Sequence, residues 1–399
     1  LTDSPPSLPT APTAPTAPTA PTAPTAPTAP TAPTAPTAPT AATALPPSPS
    51  RSSGRGAVAR RIALILGAFA VTLVLLEIAV RVVPLYPASF AIPDSVLGWR
   101  YRPEASGAWF SVGCPREFNS QVRLNRRGAH DIEHSTPDPG ARNLLILGDS
   151  LVAALEVPVE DTFFRQLDPL LDASAPTEVY AAGHAGYSTA QNWLYFQRYG
   201  DSFADRPDAV LLVFTPHNDI MDNHPAFAAM SIDWVHPRPY FALDESGGLT
   251  PIAATAPPMP PLHRFMLEQS ALYRLLSVRL RGLLPPVDLT QPEYVAARAE
   301  GWRVTYALLD ALRDSVEASG ARFGVVIDQS ILAPDERRAV HAQLAAELET
   351  MGIAHLSLLD PFDSAADQVR YPCDSHWTPE GHRIAAAAIA PFAEGLLEG

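Results

Sequence analysis

Ser150 stands where an apolar run, Asn143-Leu144-Leu145-Ile146-Leu147, is closed by Gly148 and Asp149 and followed by a helix-compatible stretch. The run reads as a strand and Gly148 as a tight turn. A serine at that junction sits near unpaired backbone N–H groups that can meet a developing oxyanion. Gly-Asp-Ser is also ordinary turn composition, and Asp149 or Ser150 could simply cap the helix. Partners elsewhere must decide between the two.

Those partners need a scaffold, and the chain supplies one after about residue 140. Strand 144–147 leads to a helix over 151–173, a strand at 178–182 and a helix near 189–200. Asp208 to Phe214 is a continuous apolar run of the kind buried on both faces of a parallel sheet. Helices near 262–282 and 292–319, a strand at 323–328, a helix at 334–351, a strand at 353–357 and a last helix from Pro379 follow. Strand and helix in turn predict an α/β fold, a three-layer αβα sandwich around a central parallel sheet. Ligands of such sheets bind beyond the C-terminal ends of the strands. Ser150, Gly183 and Asn218 all follow strands there, and with the Ser150 N–H they offer three donors for one oxyanion. Asp374 and His376 lie just ahead of the last helix, spaced so that the carboxylate can orient the imidazole while the ring takes the Ser150 proton. Each alone has a plainer reading: Asn218-Asp219 as a turn or cap, Asp374-Ser375-His376 as a cap with an incidental histidine. His184 and His217 flank the donors, where a local structural role is the safer reading. Asp374, His376 and His382 could be read as metal ligands, but no thiolate cluster or His-Glu-x-x-His pair accompanies them, and no metal is assigned.

The rest of the chain places this domain. Ten uninterrupted Ala-Pro-Thr units run from Ala11 to Thr40. Proline at every third position forbids helix and ladder alike, so residues 1–60 are expected to be a disordered, extended arm. Residues 61–83 read as a transmembrane anchor, with the apolar stretch Ile62 to Val80 as the contact with the lipid bilayer. Arg51, Arg55, Arg60 and Arg61 before it, against Arg81 behind, put the N-terminus inside and the catalytic part in the periplasm or outside the cell. Glu77 is a cost there, eased by Arg81 one turn on. A cleaved signal peptide is the rival reading. Residues 84–140 form a preamble packing on the core, and 141–399 the catalytic domain, with an insertion near 221–261 long enough to cover a site. The net charge of −14, with no lysine, is a poor match for nucleic acid. Cys114 and Cys373 either form one disulfide or are buried separately.

The ordered blocks Gly148-Asp149-Ser150, Gly183, Asn218-Asp219 and Asp374 with His376 resemble the SGNH/GDSL hydrolase superfamily over about residues 143–396. That resemblance implies a flavodoxin-like sandwich, Ser150 as nucleophile, oxyanion donors from Ser150, Gly183 and Asn218, His376 as base, Asp374 as its orienting acid, and no cofactor. The commoner pattern places the acid three residues before the histidine; here the spacing is two, followed by Trp377. The Asp-x-His-Trp form is similar to membrane-associated members that move acetyl groups onto exported polysaccharide. As the broader class of the superfamily, ester hydrolysis through an acyl-enzyme is the expected activity. The alternatives are O-acetyl transfer to an envelope or exported polysaccharide, and a non-catalytic envelope binding module. An open groove lined by Trp234, Tyr240 and Phe241 would favour an acylated glycan over a small ester.

Overall fold

The computed structural model describes residues 54–83, 85–111, 116–134, 140–200, 206–230, 238–252, 260–281, 287–365 and 368–398. The Ala-Pro-Thr arm, Cys114 and Trp234 lie outside them. Contacts divide the chain into Leu1–Ala63 and Leu64–Gly399. Helix α1 (Gly54–Val82) contains a segment, Gly56–Val82, long and apolar enough to cross a membrane.

The preamble is built of two hairpins, β1 (Ala91–Asp94) with β2 (Gly98–Tyr101) and β3 (Ser106–Phe110) with β4 (Asn119–Arg123). The central sheet begins at β5 (Arg142–Gly148), which leads through α2 (Ser150–Ala153) and α3 (Phe163–Leu171) to β6 (Thr177–Gly183). Then come α4 (Thr189–Tyr199), β7 (Ala209–Phe214), α5 (Asp219–Asp222) and a third hairpin, β8 (Tyr240–Leu243) with β9 (Leu249–Ile252). The chain continues through α6 (Pro261–Gln269), α7 (Ala271–Arg281), α8 (Pro292–Ala318), β10 (Arg322–Ile327), α9 (Pro334–Thr350), β11 (Ala354–Ser357), α10 (Leu359–Ala365) and α11 (Pro379–Glu398).

The five core strands are all parallel, in the order β11-β10-β7-β5-β6. Numbered along the chain this is 2-1-3-4-5, the flavodoxin-like doubly wound order, with its switch point at β5. Consecutive apolar residues form these strands because both faces are covered. Leu145, Leu147, Leu212 and Val325 pack with Leu309 of α8 and Leu344 of α9. Leu144, Ile146, Leu211 and Val326 pack on the other face with Phe163 of α3 and Ile389 of α11. Each fully buried side chain of this size contributes about 1.5–3 kcal/mol.

Two expected helices are broken. The single helix over 151–173 is instead α2, a 3₁₀ turn at Val159–Asp161 and α3. Ala154, at φ +46°, ends α2 in the left-handed region, and the Thr162 side chain caps a fresh start by accepting from the Arg165 N–H. The helix over 262–282 is two, divided at Ser270, whose backbone is extended. The preamble also enters the core: Leu97 and Trp99 are buried with the sheet residues, and Gln191 Nε2 donates to the Leu97 carbonyl at 2.7 Å.

Candidate active site

Ser150 opens α2 directly beyond the C-terminal end of β5 and is half-buried. Asp149 before it is 1 % exposed and does two jobs. Its Oδ1 accepts the Leu151 N–H at 3.0 Å, capping α2, and its Oδ2 accepts Asn218 Nδ2 at 2.9 Å. The cap reading of Asp149 is therefore right, and the same side chain holds Asn218 at the start of α2. An amide NH₂ carries two hydrogens, so Asn218 keeps one for a ligand. Register sets Gly148 opposite Gly183 on one side and Val213 on the other, which places Ser150 between Gly183 and the turn after β7. Gly183 has no room for a side chain: a Cβ there would lie 2.1 Å from the Ala153 nitrogen and 2.3 Å from the Val152 carbonyl carbon.

Asp374 and His376 come from a tight loop. His376 Nδ1 donates to Asp374 Oδ1 at 2.5 Å, which fixes the proton on Nδ1 and leaves Nε2 as the acceptor. Ser375 at φ +76° makes the short spacing possible, and an antiparallel bridge pairs Arg370 with Trp377. Glu117, in the preamble, accepts the backbone N–H groups of Cys373 and Asp374 at 3.0 and 2.8 Å. Cys373 is disulfide-bonded.

Three residues that the sequence did not single out hold this loop. Asp328, wholly buried just after β10, accepts Trp377 Nε1 at 3.0 Å and Arg370 Nη2 at 2.5 Å. Arg370 Nη1 in turn donates to the Ser375 carbonyl at 2.7 Å. Burial would raise the Asp328 carboxyl, but the Arg370 guanidinium, His217 and the Ser330 and Trp377 N–H donors hold it below the usual range. Glu156 is the third. It is 5 % exposed, accepts Trp109 Nε1 at 3.0 Å, and brings Oε1 to 3.7 Å from His376 Nδ1. A single acidic residue in an apolar turn left no sequence signal for this.

His376 thus faces two carboxylates. Burial lowers its affinity for a proton, but Glu156 and Asp374 outweigh this and push its pKa up to about 9. Burial likewise raises Glu156, with His376 pulling it back. Among the described residues no hydrogen bond joins Ser150 Oγ to His376; the Asp149 carboxylate, next to Ser150 in the chain, adds to the field that favours the imidazolium. Glu156, Asp374 and His376 hold ligand atoms within 4.8 Å of one another. Their Oε1 and Nδ1 atoms are already engaged with Trp109 and Asp374, and no metal is assigned.

Packing decides three alternatives that the sequence left open. His382 does not join a metal set: it is 2 % exposed, its Nδ1 accepts the Phe163 N–H at 3.3 Å, and burial pushes its pKa down to about 3. His184 is stacked on Tyr187 and buried, with its pKa pushed down to about 4, so its role is structural. Tyr240 and Phe241 are buried rather than set along an open groove, Phe241 packing on Trp193. His217 is half-buried, with Nδ1 3.4 Å from Ser330 Oγ.

The chain is similar to solved esterases of the SGNH and G-D-S-L type. Esterase EstA from Pseudoalteromonas sp. is 14 % identical, with 65 % of this chain and 100 % of that one covered and a TM-score of 0.37. AlinE4, an SGNH-hydrolase family esterase, is 15 % identical over 66 % of this chain and 100 % of that one, with a TM-score of 0.32. A lipolytic G-D-S-L protein from Veillonella parvula is 12 % identical over 63 % and 97 %, with a TM-score of 0.34. No protein-family model and no curated relative matches the chain.

Proposed function

We propose that this protein is a serine acyl-ester hydrolase of the SGNH type, working through an acyl-enzyme on Ser150. The observation that carries the reading is the His376–Asp374 bond, on a loop braced by Asp328 and Glu117, beside a strand-end serine flanked by Gly183 and Asn218. Nε2 of His376 takes the Ser150 hydroxyl proton as Oγ bonds to the ester carbonyl carbon. The carbonyl π pair moves to oxygen, and the N–H groups of Ser150 and Gly183 with Asn218 Nδ2 meet that charge. Collapse expels the alcohol, which takes the proton from His376. Water repeats the sequence and releases the acid. Removing one such donor typically lowers kcat by about 10²–10³-fold.

Trp377 is accounted for by its bond to Asp328, so the Asp-x-His-Trp form speaks for loop architecture and not for a sugar acceptor. Hydrolysis is preferred over acetyl transfer because Tyr240 and Phe241, aromatics expected along an acceptor groove, are buried. The anchored topology, with the site outside, is part of the proposal and rests on α1 and on the arginines that precede its apolar stretch. Ser150→Ala is expected to abolish turnover of a chromogenic acetyl ester and the mass increment left by a fluorophosphonate, with unchanged circular dichroism. Undiminished turnover in that variant sinks the assignment. Offering water or candidate glycans to the trapped wild-type acyl-enzyme then identifies the acceptor.

A further inference from the structure

Glu77 is the one acidic residue in the apolar stretch of α1, and its carboxylate is fully used. Ser270 Oγ donates to Oε2 at 2.7 Å, the Ala271 N–H to Oε1 at 2.9 Å and the Leu272 N–H to Oε2 at 3.0 Å. Glu77 therefore caps α7 from another helix, and Arg81 closes the elbow by donating to the last carbonyl of α6, Gln269, at 2.5 Å. The α6–α7 elbow is held against the outer end of the proposed anchor.

That position fixes a depth. From Glu77 to Val82 the helix rises about 7.5 Å. The headgroup layer on each side of a hydrocarbon core is roughly 5–8 Å thick. With Ile62 to Val80 in the hydrocarbon, Glu77 lies about one turn from its outer edge, so an elbow bonded to Glu77 sits at the boundary of hydrocarbon and headgroups if α1 spans the bilayer. Its exposed surface suits that place. Leu262 and Phe265, one turn apart on α6, are 71 % and 57 % exposed; Leu276 and Leu280, one turn apart on α7, are 49 % and 62 % exposed. Residues 261–281 carry four arginines against one glutamate in a chain of net charge −14. A cavity of about 380 Å³ between the anchor's end and α7 is lined by Arg81, Tyr86 and Arg274. Apolar residues beside clustered arginines are the signature of a helix lying in an anionic interface.

We propose that the α6–α7 elbow is a membrane-seated pad that lies on anionic lipid and holds the catalytic domain at the bilayer surface. This rests on the reading of α1 as an anchor, not on the esterase reading. The test uses the full chain in vesicles of phosphatidylcholine with phosphatidylglycerol. An environment-sensitive fluorophore is placed on Cys introduced by Leu73→Cys in α1, Phe265→Cys, Leu280→Cys, or Glu349→Cys in the exposed last turn of α9. Doxyl-labelled lipid is expected to remove roughly half the emission or more at 73, 265 and 280, and little at 349. Iodide quenching at 265 and 280 with lipid quenching at 73 overturns the pad and leaves the anchor. Iodide quenching at 73 as well overturns both. Labels at 265 and 280 shielded from both quenchers assign the surface to a protein partner and overturn the pad.

Discussion

Glu156→Gln tests whether the second carboxylate sets the working pH of His376. The amide keeps an acceptor for Trp109 Nε1 and the size of the side chain, so the change removes charge alone. The Glu156 oxygen is 3.7 Å from Nδ1. Unit charges about 4 Å apart interact by about 1 kcal/mol at the dielectric of water and about 4 kcal/mol at an effective value of 20. At 1.36 kcal/mol per pKa unit this is about 0.7 to 3 units, and the burial of Glu156 favours the upper part. A base with its pKa near 9 is mostly imidazolium at neutral pH, so kcat/KM for an acetyl ester should rise with pH until the ring is neutral. In Glu156→Gln the acid limb should move down by about one to three pH units, giving a variant faster than wild type near pH 7. Profiles of kcat/KM from pH 5 to 10 decide it. An acid limb that does not move refutes the argument, even if overall activity drops, because loss without displacement marks a structural role.

Gly183→Ala drives a methyl group into the backbone of α2, which no rotamer change can relieve; a loss of about 3 kcal/mol or more should appear as a lower urea midpoint or as failure to fold. Trp377→Phe removes one donor from buried Asp328 while Arg370 stays bonded to it; about 1.5–3 kcal/mol of stability should be lost, with a fall in kcat as the His376 loop loosens. A kcat equal to wild type would show that Trp377 only fills space. His184 and His382 are held neutral by burial at about 4 and 3. Unfolding lets both take up protons near 6.5, so their contribution is present above that pH and is lost as pH falls from about 6.5 toward 3. On their account the unfolding free energy should fall by up to roughly 2.7 kcal/mol per pH unit where both are linked, and imidazole NMR signals of His184 and His382 that titrate near 6.5 in the folded protein contradict the assignment.

The inner strands β5 and β7 were legible because each is apolar at consecutive positions, as a sheet covered on both faces requires. The break in the helix expected over 151–173 was legible in Pro158, which cannot continue a helix, but its exact place was not, since α2 ends on Ala154 in a left-handed conformation. Glu77 was legible as a cost but not as a cap, because its partners lie almost two hundred residues away, at Ser270 to Leu272. Glu156 and Asp328 were invisible for the same reason: their value is set by His376 and Trp377, which reach them only through the fold.

The Asp-x-His-Trp element shows what such distance does to inference. By resemblance alone it suggested a sugar as acyl acceptor. In the folded chain the short spacing is met by the positive φ of Ser375, and the indole fills a pocket of Phe163, Phe362 and His382 while bonding Asp328. Each of these contacts steadies the imidazole, and none depends on what attacks the acyl-enzyme. A loop built this way serves water and alcohol acceptors equally. The choice between them must therefore lie in the surface that would bind the acceptor, and Tyr240 and Phe241, the described aromatics expected there, are buried.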